Sequence, residues 1–196
     1  MIQNEGVDSE IRAFVAVPLP DAVTNVIVDL QRQAEGATDD FYRWTPVASL
    51  HLTLYFLGEC PPATLNEIHT RLERTNISPL TLCLDGILAL PESNVPRILA
   101  VGLEGDVNEL KRLQRQVTDL VSPVAPYKET RLFQPHITFG RLRKDKPSNA
   151  KQVKRMLQAL AVPSGVTFTI DEFCTMKSDL AESGAEYEAL QTFSLR

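Results

Sequence analysis

The chain has 196 residues, enough for one large domain or two small lobes sharing a core. Its 43% hydrophobic and 23% charged content are those of a soluble globular protein, and no apolar run reaches the ~20 residues a membrane helix needs. A net charge of -5 argues against clamping a long duplex through many phosphate contacts, but leaves room for a small or terminal nucleotide.

Residues 1–10, MIQNEGVDSE, are polar and acidic, with no basic start leading into an apolar run. They read as a disordered leader rather than a signal peptide, followed by a single bilobal domain over 11–196. IRAFVAVPLP reads as a buried strand ended by prolines. A helix opens near Asp21, runs through AVTNVIVDLQRQAEG and stops at Gly36. YRWTP forms a short strand, LHLTLYFLGE a long one, and PPATLNEIHTRLERTN a helix with prolines in its first turn. LTLCLDGILAL and RILAVGL are two strands joined by the turn-rich PESNVP. DVNELKRLQRQVTDLV is an amphipathic helix, SPVAPYKET a proline-broken loop, HITFGRL a strand and SNAKQVKRMLQAL a helix. VTFTIDEFCTMKS and EYEALQTFSL close the chain as an antiparallel pair around DLAESGA.

Helices mixed with adjacent strand pairs predict an α+β fold with antiparallel or mixed sheets, not a regular parallel βαβ series. A weak repeat runs through the chain. HLTLYFLGE, PPATLNEIHTRLE and LTLCLDGILAL are echoed by HITFGRLRK, NAKQVKRMLQAL and VTFTIDEFCTM. Two similar halves would build two lobes around a cleft.

The three cysteines, Cys60, Cys83 and Cys174, are far apart and form no CxxC pair. They read as small buried hydrophobes in a reducing, cytoplasmic setting, with neither disulfides nor a thiolate metal site. No HExxH or clustered His/Asp set points to a metal, and no cofactor is expected.

The two strands that open the repeats carry the chemistry. Side chains alternate along a strand, so His51 and Thr53 share one face while Leu52 and Leu54 take the other. His136 and Thr138 follow the same rule opposite Ile137 and Phe139. If the two polar faces meet, two imidazoles and two hydroxyls surround one volume. Imidazole takes or gives a proton near neutral pH, and the hydroxyls donate hydrogen bonds to phosphate oxygens. That set suits hydrolysis of a phosphodiester. His69, among polar residues of a helix, reads as an exposed surface residue. Positive charge is concentrated after the second motif, at Arg141, Arg143, Lys144, Lys146, Lys151, Lys154 and Arg155. It is either a solvated face or a local phosphate site. Arg141 itself could reach a phosphate or form a surface salt bridge.

At these residues the chain resembles the 2H phosphoesterase family, named for two His-x-Thr/Ser-x motifs, and within it the LigT-like RNA 2',3'-cyclic phosphodiesterase branch. RAFVAVPLP is similar to that branch's opening strand, RWTPVASLHLTLYFLGE to its first motif and FQPHITFGRLR to its second. FCTMKSDLAESGAEYEALQTFSL is similar to the closing pair, with Ser178, Gly184 and Tyr187 in matching places. The one departure is Phe139, where leucine is common; facing away from the cleft, it changes packing rather than chemistry.

The resemblance implies a bilobal α+β fold with two pseudo-symmetric lobes, mostly antiparallel sheets flanked by helices, and a central cleft. It also implies metal-independent opening of 2',3'-cyclic phosphates on RNA ends or small nucleotides to 2'-phosphates, with no membrane or obligate protein partner. His51 would be the proton donor, His136 the proton acceptor, and Thr53, Thr138 and Arg141 phosphate ligands. Trp44 and Tyr42 are candidates to stack on a base, while Phe14 reads as core. The same motifs fit other cyclic phosphates or small nucleotides, or a non-catalytic RNA-end binder.

Overall fold

In a computed structural model, residues 9–37, 40–128, 130, 132–145, 149–181 and 184–196 are described. Residues 1–8 of the expected 1–10 leader, and Lys146, lie outside them. The elements run β1 (Ile11–Pro18), α1 (Asp21–Glu35), β2 (Tyr42–Trp44), a 3₁₀ turn (Val47–Ser49), β3 (His51–Cys60), α2 (Pro62–Leu72), β4 (Leu80–Leu90) and β5 (Ile98–Gly105). Then follow α3 (Val107–Val121), β6 (Ile137–Leu142), α4 (Ala150–Ala159), β7 (Thr167–Ile170), β8 (Glu172–Ala181) and β9 (Gly184–Ser194). The strands form two sheets, ordered β3-β1-β8-β9 and β2-β6-β5-β4-β7, and every pairing is antiparallel. The expected α+β class with two antiparallel sheets is what the chain adopts.

Local chemistry explains most element ends. Pro62 occupies the first turn of α2, where its missing N–H is no loss. Asn149 caps α4, its side-chain oxygen accepting from the backbone N–H of Lys151 and Gln152 at 3.0 and 3.4 Å. The buried stripe of α3, Leu110, Leu113, Val117 and Val121, keeps helical spacing, as does Val23, Ile27, Leu30 and Ala34 on α1. Helix α3 packs against β3 and β4, and α1 against β6. The core thus lies on one face of each sheet.

Three boundaries differ from expectation, the first being that Asp179–Ala181 of the expected DLAESGA connection belong to β8 and Gly184 and Ala185 to β9. VTFTIDEFCTMKS is not one strand: β7 pairs with β4 in one sheet, while β8 pairs with β1 in the other. The chain changes sheets at Asp171, whose carbonyl accepts from the Leu195 N–H at 2.7 Å. Alternation reads through such a crossing because both halves keep the same period. The second motif strand begins at Ile137, so His136 stands just before it, after Pro135.

Candidate active site

The two motif strands belong to different sheets, and a short connection joins them. β2 pairs with β6, placing Tyr42 opposite Leu142, Arg43 opposite Arg141 and Trp44 opposite Gly140. The chain then passes through the 3₁₀ turn and enters β3 at His51. The lead-in to the first motif is therefore stitched to the strand of the second, and β3 packs against β6. Gln31 of α1 reinforces the stitch. Its buried side-chain amide donates to the carbonyls of Thr45 and Phe139 at 2.8 and 2.9 Å. Sequence reasoning missed Gln31; the one signal was a polar residue on the apolar stripe of α1.

Each motif carries a β-bulge directly after its threonine. Val15 faces Tyr55 and Ala16 faces Thr53, leaving Leu54 unmatched. Leu99 faces Gly140 and Ala100 faces Thr138, leaving Phe139 unmatched. An extra residue resets the alternation. Both residues after each threonine now turn to the core, Leu54 with Tyr55 and Phe139 with Gly140. The next residue returns to the cleft face. That is why Arg141, three positions after Thr138, shares its face; strict alternation would have pointed it into the core. Phe56, three after Thr53, is the counterpart, with its ring 6.3 Å from Phe14.

The histidines are held alike. His51 Nδ1 lies 2.8 Å from the Ser49 carbonyl, and His136 Nδ1 lies 2.7 Å from the Gln134 carbonyl. A carbonyl only accepts, so each Nδ1 bears the proton and each Nε2 is left for other work. His51 Nε2 accepts from the Thr53 hydroxyl at 2.9 Å. His136 Nε2 has no partner among the described residues.

Aromatic rings enclose His51. Phe14 lies 4.8 Å from it and Tyr187 meets it edge-on at 5.1 Å and 88°. Burial pushes its pKa down to about 4, and the positive charges of Arg141 and His136 push the same way, against the Ser49 hydrogen bond. β3 packs against β6, which brings Arg141 and His136 within electrostatic reach of His51.

The fold agrees with that of known proteins. The family model for the 2'-5' RNA ligase superfamily matches residues 19–182. The chain belongs to that superfamily, the 2H phosphoesterases. It is 26% identical over 182 residues to a protein of Archaeoglobus fulgidus named RNA 2',3'-cyclic phosphodiesterase, covering 93% of this chain and 99% of that one. It is 30% identical over 202 residues to a Thermus thermophilus protein of the same name, covering 94% and 90%. Among solved structures, TT0787 of Thermus thermophilus superposes with a TM-score of 0.74 at 26% identity, over 95% of this chain and 98% of that one. E. coli LigT in apo form does so at 0.75 and 22% identity, over the same shares, which is a likeness of fold.

Within this 2H phosphoesterase, several expected residues stand elsewhere. Tyr42 cannot stack on a base: it is 1% exposed and its hydroxyl donates to the Pro96 carbonyl at 2.8 Å. Trp44 also faces the core side of its sheet, parallel to Phe139 (8°, 6.3 Å) and stacked with Tyr42. It closes over Gly140, where a Cβ would come within 2.8 Å of its ring. A strand places residues two apart on one face, so both aromatics turn away from Arg141. Phe14 is buried as expected, but on the cleft face, where it walls His51 instead of joining the main core. The cleft-facing apolar residues beside Arg141 and Thr138 are Ile98 and Ala100.

His69 is not a free surface residue. Its Nε2 lies 2.8 Å from the hydroxyl of fully buried Thr175, and burial lowers its pKa. Cys60 and Cys174 are buried, with burial pushing both thiols up to about 11, whereas Cys83 is half-exposed. The basic cluster divides. Arg143 pairs with Asp40 and Asp145 at 3.3 and 3.4 Å, and Lys151, Lys154 and Arg155 are exposed on α4. Among the described residues, no group of three His, Cys, Asp or Glu stands close enough to hold a metal ion.

Proposed function

We propose that this enzyme hydrolyses 2',3'-cyclic phosphodiesters at RNA ends to 2'-phosphomonoesters by a metal-independent, two-histidine mechanism. The observation that carries this is the matched pair of imidazoles. Each is fixed through Nδ1 to a carbonyl two residues back, and each is followed two residues on by the motif threonine, which for His51 donates to Nε2. Relatives named RNA 2',3'-cyclic phosphodiesterase over nearly the full chain supply the substrate class.

In the forward reaction His136 Nε2 takes a proton from water as the water oxygen attacks phosphorus. The bond from phosphorus to the 3' oxygen breaks, and His51 Nε2 gives that oxygen its proton. Thr53, Thr138 and Arg141 donate to the non-bridging oxygens, where charge gathers in the transition state. Incubating the protein in EDTA with an oligonucleotide ending in a 2',3'-cyclic phosphate should yield the 2'-phosphate at an undiminished rate. Substrate left intact would end the proposal.

The donor role asks something specific of His51. Below its pKa of about 4 it is charged; at pH 7 in the free protein it is neutral. A phosphate anion between His51, Arg141 and His136 offsets the positive charge of Arg141 and so favours the His51 imidazolium. The His51 ring resonances, followed by NMR against pH, should therefore titrate at higher pH with inorganic phosphate bound than without it. An unmoved titration would instead favour exchanged roles, with His51 as base and His136 as acid, which the low free-state pKa also supports.

A further inference from the structure

Arg43 and Arg141 stand directly opposite each other on β2 and β6. Opposed residues of an antiparallel pair have Cβ atoms about 5 Å apart, and like charges there are unfavourable. No carboxylate answers either one among the described residues, although Arg143, two positions on, has two. Both guanidiniums lie on the cleft side of their sheet. For Arg141, the bulge at Phe139 turns it there and its charge is felt at His51. For Arg43, its neighbours Tyr42 and Trp44 both face the core.

The two arginines are not equivalent. β6 carries the motif, so Arg141 adjoins the reacting phosphate. β2 is the outermost strand of the sheet, so Arg43 is one strand farther from His136, which stands just before β6. A guanidinium with no carboxylate partner among the described residues, opposite another and one step along the rim, is arranged for a second anion next to the first.

Resting on the phosphodiesterase reading, we propose that Arg43 binds the phosphodiester on the 5' side of the terminal nucleotide. The substrate class is then an oligonucleotide end rather than a nucleoside 2',3'-cyclic monophosphate. The chain's overall negative charge fits this short reach: the two terminal phosphates are met locally, and the rest of the RNA is not gripped.

The test compares kcat/KM for a short oligonucleotide ending in a 2',3'-cyclic phosphate with that for a nucleoside 2',3'-cyclic monophosphate, in wild type and R43Q, across a salt series. The oligonucleotide-to-monomer ratio should fall about tenfold in R43Q, the loss of one charge-assisted contact. The log–log salt slope for the oligonucleotide should flatten by about 0.7, the share of one single-strand phosphate. R43K should restore most of that slope. A ratio within twofold of wild type, or equal losses on both substrates, would overturn the inference. If wild type turns over neither substrate, the phosphodiesterase reading fails by itself. Calorimetric affinities for an oligonucleotide 3'-phosphate and a nucleoside 3'-phosphate then decide: loss of the oligonucleotide preference in R43Q supports the second-phosphate site, and an unchanged preference refutes it.

Discussion

His51→Ala and His136→Ala should each lower kcat by about 10²–10⁴, the usual worth of a positioned acid or base. The size of the loss does not tell donor from acceptor, but the leaving group does. Replacing the bridging 3' oxygen by sulfur makes a leaving group that departs without a proton. On that substrate the variant lacking the donor should recover most of its deficit, while the variant lacking the acceptor keeps its own. Recovery is expected for His51→Ala. Recovery in His136→Ala instead would exchange the two roles, and recovery in neither would remove proton donation from the mechanism. Thr53 bears on the same question, because its hydroxyl donates to His51 Nε2, the nitrogen that must carry the transferred proton. In the charged form that bond must turn round, with Nε2–H donating. The hydroxyl can rotate to accept.

Phe139→Ala should destabilise the protein by about 3–5 kcal/mol, the cost of deleting a large, fully buried aromatic side chain. Phe139 is 0% exposed, lies parallel to Trp44, and is the unmatched residue of the bulge that turns Arg141 to the cleft. Chemical denaturation followed by the fluorescence of Trp44, the chain's one tryptophan, reads both the stability and the lost stack. Phe139→Leu keeps most of the side-chain volume and should cost far less. If Phe139→Ala unfolds at the same denaturant concentration as wild type, the bulge is not held by this packing. At temperatures where Phe139→Ala remains folded with the bulge intact, its pH profile should match wild type, because the ring packs in the core and Arg141 keeps its place.

Much of this was legible because it is local. Alternation along LHLTLYFLGE put His51 with Thr53, and along HITFG it put Thr138 away from Phe139. The apolar stripes of α1 and α3, the proline start of α2 and the Gly36 stop followed from residue chemistry within one or two turns. The repeated His-x-Thr strand was visible because each copy is short and contiguous.

What the one-dimensional pattern could not carry was any choice between surfaces of equal character. Tyr42 and Trp44 look like a stacking platform in sequence; only the pairing of β2 with β6 decides that they turn to the core and Arg43 to the cleft. Strict alternation would have buried Arg141. The bulge that frees it exists because β6 must match β5, a strand more than 30 residues earlier in the chain. His51 and His136 were picked out as the proposed reactive groups by identity and spacing alone, but their difference is tertiary. Phe14 and Tyr187, from opposite ends of the chain, dry the His51 ring and lower its pKa. Residue type and spacing determined which groups are present and which face of a strand they share. Solvent exclusion and the company of other charges depend on strands far apart in sequence, and only the folded chain decides them.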